Sequence, residues 1–176
     1  MWSEGLASHG CWGGGIRDLW REDLVAFLLG RSLTVEHALL EAGVPLRYIE
    51  RHTMISMFVS TLACEPAGRF HGPMVVTMCP IAAAQVDLVC ALSARYSHAH
   101  GAPVHIDNPE AIGITDLGRP DYGEPVPIGA QEIPVFWGCG VTPQAVAVKA
   151  RVDLMITHEP AQMFVTDLHR EGGRCS

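Results

Sequence analysis

The chain has 176 residues with a net charge of −7, from 12 Lys and Arg against 19 Asp and Glu, and only 18% of its residues are charged, where a soluble domain averages about 25%. A hydrophobic content of 48% excludes a disordered chain, and the length suits one domain, or two small lobes sharing a core, that folds without disulfide staples. The acidic balance and the lack of any Lys/Arg run exclude nucleic acid as a partner.

Residues 1–15 are polar and glycine-laden without periodicity, which predicts a loose tail ahead of a folded α/β domain over 16–176. This tail carries Glu4, has no Lys or Arg before Arg17 and lacks an apolar core. It matches neither a secretory signal nor a transit peptide, so a cytoplasmic address is expected. Leu19, Trp20, Leu24, Phe27 and Leu28 fall on helical spacing and predict a helix over 19–29, ended by Gly30. A second helix is predicted over 35–42, stopped by Gly43 with Pro45 beyond, and a strand over 54–62.

Four later segments each run from a short β-rich apolar stretch into a proline. Residues 75–80 end at Pro80 and lead into a predicted helix over 81–96; residues 104–109 end at Pro109 and lead into 110–112. Residues 135–143 end at Pro143 and lead into 144–150, and residues 154–160 end at Pro160 ahead of 163–167, a piece too short to assign. Proline at the first helical position is pre-set for helix entry, with Asn108 and Thr142 as expected N-caps. Strands alternating with helices predict an α/β fold with a mainly parallel or mixed sheet and helices packed on it. The longest apolar stretch, 74–86, is broken by Thr77, Pro80 and Gln85 and falls short of the ~20 residues that span a bilayer, so no membrane partner is expected.

In a parallel sheet the ligand crevice lies beyond the carboxyl ends of the strands, where helix N-termini offer N–H groups to anions. That edge would gather Cys79, His105, Asp107, Cys139, Thr142, His158 and Glu159. Cys139, between Gly138 and Gly140 and just before a predicted helix, reads either as a nucleophile or proton donor or as a small packing residue. His105 and Asp107 share one strand face at i, i+2 and form an acid–base candidate, with an Asx turn before Pro109 as the other reading of Asp107. His158, beside Glu159, is a general acid or base or a hydrogen-bonded structural residue. Arg69 and His71 occupy the turn-rich stretch 64–73, where cations hold carboxylates or are simply solvated. The substrate-binding candidates are therefore Arg69, His71, Asp107, Thr142 and Thr157, and the catalytic candidates His105, Cys139 and His158.

Six cysteines, Cys11, Cys64, Cys79, Cys90, Cys139 and Cys175, are scattered without a Cys-x-x-Cys pair, so neither a disulfide framework nor a zinc site is expected. His98 and His100 lack a nearby third ligand, and no metal is expected there. The methionines read as core filler.

Several of these stretches, taken together, resemble the D-glutamate cyclases, a family also named as hydro-lyases. The resemblance rests on 18–28, on Leu39-Leu40-Glu41-Ala42-Gly43-Val44-Pro45, and on Pro66-Ala67-Gly68-Arg69-Phe70-His71-Gly72-Pro73. Further support comes from Gly101-Ala102-Pro103-Val104-His105-Ile106, Pro120-Asp121-Tyr122-Gly123, Pro134-Val135-Phe136-Trp137, Cys139-Gly140-Val141-Thr142-Pro143-Gln144, and Ile156-Thr157-His158 through Asp167. It implies a lyase that dehydrates D-glutamate to 5-oxo-D-proline with no redox cofactor and a small amino acid as its partner. It also implies Arg at the position of Cys79, Tyr and Asn at Phe58 and Thr61, Gly-His at Ala161-Gln162, and a longer segment before Ile16. Two alternatives stand beside this activity: a catalytically weakened relative that binds a small acidic metabolite or acts as an interaction protein, and a Cys139-dependent hydrolase. Apolar surface left open by a missing segment predicts a homo-oligomer.

Overall fold

Period-two alternation along the central strands sends apolar side chains to both faces of one sheet, and each face is covered. The structure, a computed structural model, describes residues 16–29 and 33–157. Four strands, β1 (Ser56–Ala63), β2 (Pro73–Ala82), β3 (His105–Ile106) and β4 (Glu132–Gly138), form a sheet in the order β1-β2-β4-β3. Among the described residues four α-helices accompany it: α1 (Leu33–Glu41), α2 (Arg47–Glu50), α3 (Val86–Ala94) and α4 (Thr142–Ala150).

Cys79 and Ile81 of β2, with Val135 and Trp137 of β4, pack under Val35 and Leu39 of α1 and Val89 of α3. On the opposite face Phe58, Val76, Met78 and Phe136 meet Ile112, Ile114 and Val126 from the segment between β3 and β4. Phe136 is fully buried, and burial of such a side chain stabilises the fold by roughly 1.5–3 kcal/mol. The outer edge of β1 is covered by residues 121–126. Met57 and Tyr122 exchange backbone hydrogen bonds of 2.9 and 3.1 Å, and Asp121 Oδ2 accepts the Val59 N–H at 2.7 Å. At Gly123, with φ +77, a Cβ would stand 2.0 Å from the Ile55 carbonyl oxygen, so only glycine allows this approach.

Every strand pairing among the described residues is antiparallel, which corrects the expected mainly parallel or mixed sheet. Strand and helix do alternate between β2 and β3, and because both run antiparallel to β4 they share a direction. The difference is that β4 lies between them, so the two never pair. The link from β1 to β2 is a turn-rich loop with no helix to make a crossover.

Pro80 is also corrected. It sits inside β2, opposite Pro134 of β4, and α3 begins only at Val86. The two prolines fit because the Pro134 carbonyl accepts the Asp107 N–H at 2.8 Å, so the imide nitrogen of Pro134 faces β3 and not β2. Pro80 lies beyond the last β1 partner of β2, Met78 opposite Ser56, where no donor is demanded of it.

The helix expected over 19–29 is not formed: a 3-10 turn spans Ile16–Leu19 and residues 24–29 have no regular structure. Its apolar side chains find nothing to pack on among the described residues, with Val25 74% and Phe27 80% exposed, and a short helix depends on such packing. The helix over 35–42 corresponds to α1, which ends before Gly43 at φ +76. The strand over 54–62 corresponds to β1. No strand forms over 154–157, and the remainder of that segment, like residues 1–15, lies outside the described residues.

Candidate functional site

An antiparallel sheet divides the carboxyl ends of its strands between two edges, and the candidate residues divide with them. One edge holds the ends of β2 and β3 and carries His105 and Asp107. The opposite edge holds the ends of β1 and β4 and the start of β2, and it carries Arg69, His71, Cys139 and Thr142. Asp107 aligns with Pro134 through its hydrogen bond, five residues before Cys139, a separation of about 17 Å at ~3.4 Å per residue. His105 stands opposite Phe136, about 10 Å from Cys139 on the same count.

At the first edge, β3 ends because Asp107 and Asn108 turn to φ 60° and 20°, values that non-glycine residues seldom adopt. The turn carries Asp107 off the strand, and the His105 ring bonds elsewhere: its Nε2 donates to the Asn108 carbonyl at 2.9 Å, and its ring centroid lies 5.9 Å from that of Phe136. Asp107 is exposed. Asn108 occupies the cap position of the 3-10 turn Pro109–Ile112 without a side-chain cap bond.

At the second edge, the turn between β4 and α4 is fastened to the start of β2. The Cys139 N–H donates to the Val75 carbonyl at 2.8 Å. Thr142 Oγ1 accepts the Val75 N–H and donates to the Val75 carbonyl, each at 3.1 Å. Thr142 is thus the first residue of α4 and a link to the sheet, while the N-cap position falls to Val141, with Pro143 in the first turn. At the start of α4 the Thr142 N–H donates to the Cys139 carbonyl at 3.0 Å and the Ala145 N–H to the Val141 carbonyl at 3.1 Å, and Pro143 has no N–H, so what this helix end turns to the edge is chiefly its partial positive charge. Cys139 is half-buried, and a Cβ at Gly140 would meet nothing within 4 Å, which leaves space beside the thiol-bearing turn.

His100, which the sequence suggested only as half of a weak metal pair, belongs to this edge. Its Nδ1 lies 2.6 Å from the Gly138 carbonyl oxygen. A carbonyl only accepts, so Nδ1 carries the proton and the neutral ring keeps Nε2 as its acceptor. The signal for this placement is the antiparallel return of residues 100–104 along β4, which histidine spacing does not reveal. Among the described residues no group of His, Cys, Asp and Glu is arranged to hold a metal ion.

Arg69 and His71 are exposed in the loop that precedes β2. The Arg69 guanidinium lies 5.8 Å from the Phe70 ring centroid, a cation–π contact that leaves its donors to solvent. The loop is closed by the Cys64 N–H to the Gly72 carbonyl at 2.9 Å. Thr157 is exposed and His158 lies outside the described residues. Cys79, where the family resemblance implies a carboxylate-binding Arg, is only 7% exposed in the helix-covered core. Its thiol is pushed up to about 12, first by burial and then by the Glu36 carboxylate; Glu36 also bonds the Tyr48 phenol, whose own ionisation is raised chiefly by burial. No helix among the described residues is long and apolar enough to cross a membrane.

The family described as D-glutamate cyclase matches residues 25–167. A "Putative hydro-lyase" of Thermoanaerobacter sp. strain X514 is 53% identical over 160 residues, which cover 91% of this chain and 60% of the relative. A protein of the same name from Rubrobacter xylanophilus is 55% identical over 148 residues, 84% of this chain and 57% of the relative. Another from Staphylococcus saprophyticus is 50% identical over 153 residues, 87% and 59% respectively. The chain thus spans about 60% of the length of the curated relatives it matches.

Proposed function

The chain belongs to the D-glutamate cyclase family, and we propose that it is a hydro-lyase that dehydrates D-glutamate to 5-oxo-D-proline at the edge where β4 meets α4. The observation that carries this reading is the family match over 25–167, which includes the Cys139–Pro143 turn and its open space at Gly140. In the reaction the amine nitrogen attacks the γ-carboxyl carbon, a C–N bond forms, and one γ-oxygen leaves as water with two protons from the ammonium. The tetrahedral intermediate carries an oxyanion that the partial positive charge at the start of α4 is suited to stabilise. Proton transfer falls to Cys139 and to the imidazole nearest its turn, His100, whose Nδ1 bond to Gly138 leaves Nε2 able to accept. His105, committed to the Asn108 carbonyl, has a lesser claim than it had from sequence.

The test is incubation of the protein with D-glutamate and separately with L-glutamate, with 5-oxoproline resolved by chiral chromatography. Product from the D isomer alone is expected. No product from either isomer above the protein-free rate overturns the reading, and if D-glutamate still raises the melting temperature, the chain binds the metabolite without turning it over.

A further inference from the structure

We infer that the apolar arm Val25–Leu29 of one copy of this chain docks, with Phe27 leading, into the apolar cleft between α4 and the β1–β2 part of the sheet on a second copy, and that two copies exchange these arms. Side chains alternate faces along a strand, so Val75, Cys79 and Ile81 share one side of β2, and Val59, paired with Val75, shares it too. α1 and α3 cover the Cys79–Ile81 end of that face, and α4 is fastened at its Val75 end through Thr142. Toward β1 the cover is incomplete: Val59 is 39% exposed and borders a cleft walled by Pro73, Val75, Ala145 and Val146.

Shape and polarity select the occupant. The cleft has a volume of about 200 Å³, and an apolar cavity of ~150 Å³ already takes a benzene-sized group, so one phenyl ring with part of an aliphatic neighbour fits. Gly72 keeps that space open: a Cβ there would lie 3.4 Å from Val146 Cγ2 and 3.7 Å from Lys149 Cδ, so a larger side chain at 72 would grow into it. The chain supplies a matching group in Leu24-Val25-Ala26-Phe27-Leu28-Leu29, six residues without a charge. Phe27 is 80% exposed, and Val25, Leu28 and Leu29 are also largely exposed. The segment has no regular structure, and in an extended conformation Val25, Phe27 and Leu29 point to one side.

The area involved selects a second copy. One arm exposes an apolar patch on the order of a few hundred Å², the size that marks interaction sites on a soluble chain. Reciprocal exchange covers two arms and two clefts and so buries on the order of 1,500 Å², within the ~1,200–2,000 Å² of a stable interface. It also closes the assembly at two copies, since each gives one arm and receives one. Phe27 then acts as the aromatic anchor filling a pocket, the kind of contact that carries most of an interface's binding energy.

Sedimentation equilibrium and light scattering on the full chain test this exchange. The parent is expected to have twice the 19.0 kDa mass of one chain. Phe27→Asp, which alters an exposed side chain, and Gly72→Leu, which fills the cleft, should each raise the dimer dissociation constant at least tenfold while the protein still melts cooperatively. Ala145→Leu fills the cleft from the helix side and replaces Gly72→Leu if that variant does not fold. The decisive measurement is a mixture. The Phe27→Asp chain keeps an intact cleft and the Gly72→Leu chain an intact arm, so at high micromolar concentration, where each alone is monomeric, the two together should form a heterodimer through one arm, more weakly than the parent pair. A monomeric parent, a Phe27→Asp dimer as tight as the parent, or a mixture that stays monomeric at that concentration overturns the inference.

Discussion

Cys79 and Cys139 bring the same thiol into opposite surroundings. Cys79 lies in the helix-covered core opposite Val135, with its ionisation pushed up to about 12 by burial and the Glu36 carboxylate, so at neutral pH it is a small apolar side chain and no nucleophile. Iodoacetamide at pH 8 should leave Cys79 unmodified in the native protein and label it after unfolding, as peptide mass mapping can show; native labelling as fast as at Cys64 would contradict its burial. The unfolded thiol titrates near 9.0, so above that pH the unfolded chain loses a proton that the folded chain keeps, and stability falls as pH rises from 9 toward 12. The loss is on the order of 1–4 kcal/mol, and Cys79→Ala should flatten that alkaline slope in denaturant titrations. A guanidinium at this position would face Glu36 and Tyr48 rather than an open site, so Cys79→Arg is expected to change melting temperature more than substrate affinity. At Cys139 the expectation is catalytic: Cys139→Ala should lower turnover of D-glutamate by about 10²-fold or more, and unchanged turnover would make it a packing residue.

The elements that position the site depend on contacts unlike those that sequence punctuation suggests. Thr142 reads as an N-cap, yet its hydroxyl bonds both backbone groups of Val75. Thr142→Val leaves the buried Val75 N–H without that acceptor and should cost about 1–3 kcal/mol in urea unfolding, with Thr142→Ser retaining most of the stability. Equal stability of both variants would show that the link is dispensable. Gly123→Ala places a methyl against the Ile55 carbonyl and should cost on the order of 2–4 kcal/mol. Of the elements themselves, α1, β1, β4 and α4 were legible, because periodicity and flanking Gly or Pro agree there. Pro80 was misleading because proline interrupts a strand only where a neighbour needs its N–H, and that neighbour is set by sheet order. The helix over 19–29 had the periodicity but lacks a surface to pack against among the described residues.

For the molecule as a whole, sheet direction determines which candidate residues can work together. Read as parallel, the sheet gathers His105, Asp107, Cys139 and Thr142 at one edge; the antiparallel order separates them and brings His100 to the Cys139 turn. Direction was not legible because it depends on which strand lies between β2 and β3, a long-range choice that local spacing does not encode. The exposed Val25, Phe27 and Leu28 support the proposal that the chain self-associates, since contiguous apolar surface is commonly covered. Light scattering at micromolar concentration should give a mass above 19.0 kDa, and a monomer would count against it. The net charge of −7 is compatible with an acidic ligand because the partial positive charge at the start of α4 acts locally, within a Debye length of ~10 Å. The central claim is loss of water from D-glutamate, and the direct measurement is turnover of D-glutamate carrying ¹⁸O on both γ-carboxyl oxygens. We predict 5-oxo-D-proline that retains one ¹⁸O in its lactam carbonyl, with the other released as water and no matching product from the L isomer. Formation of 5-oxoproline no faster than without protein would contradict the account.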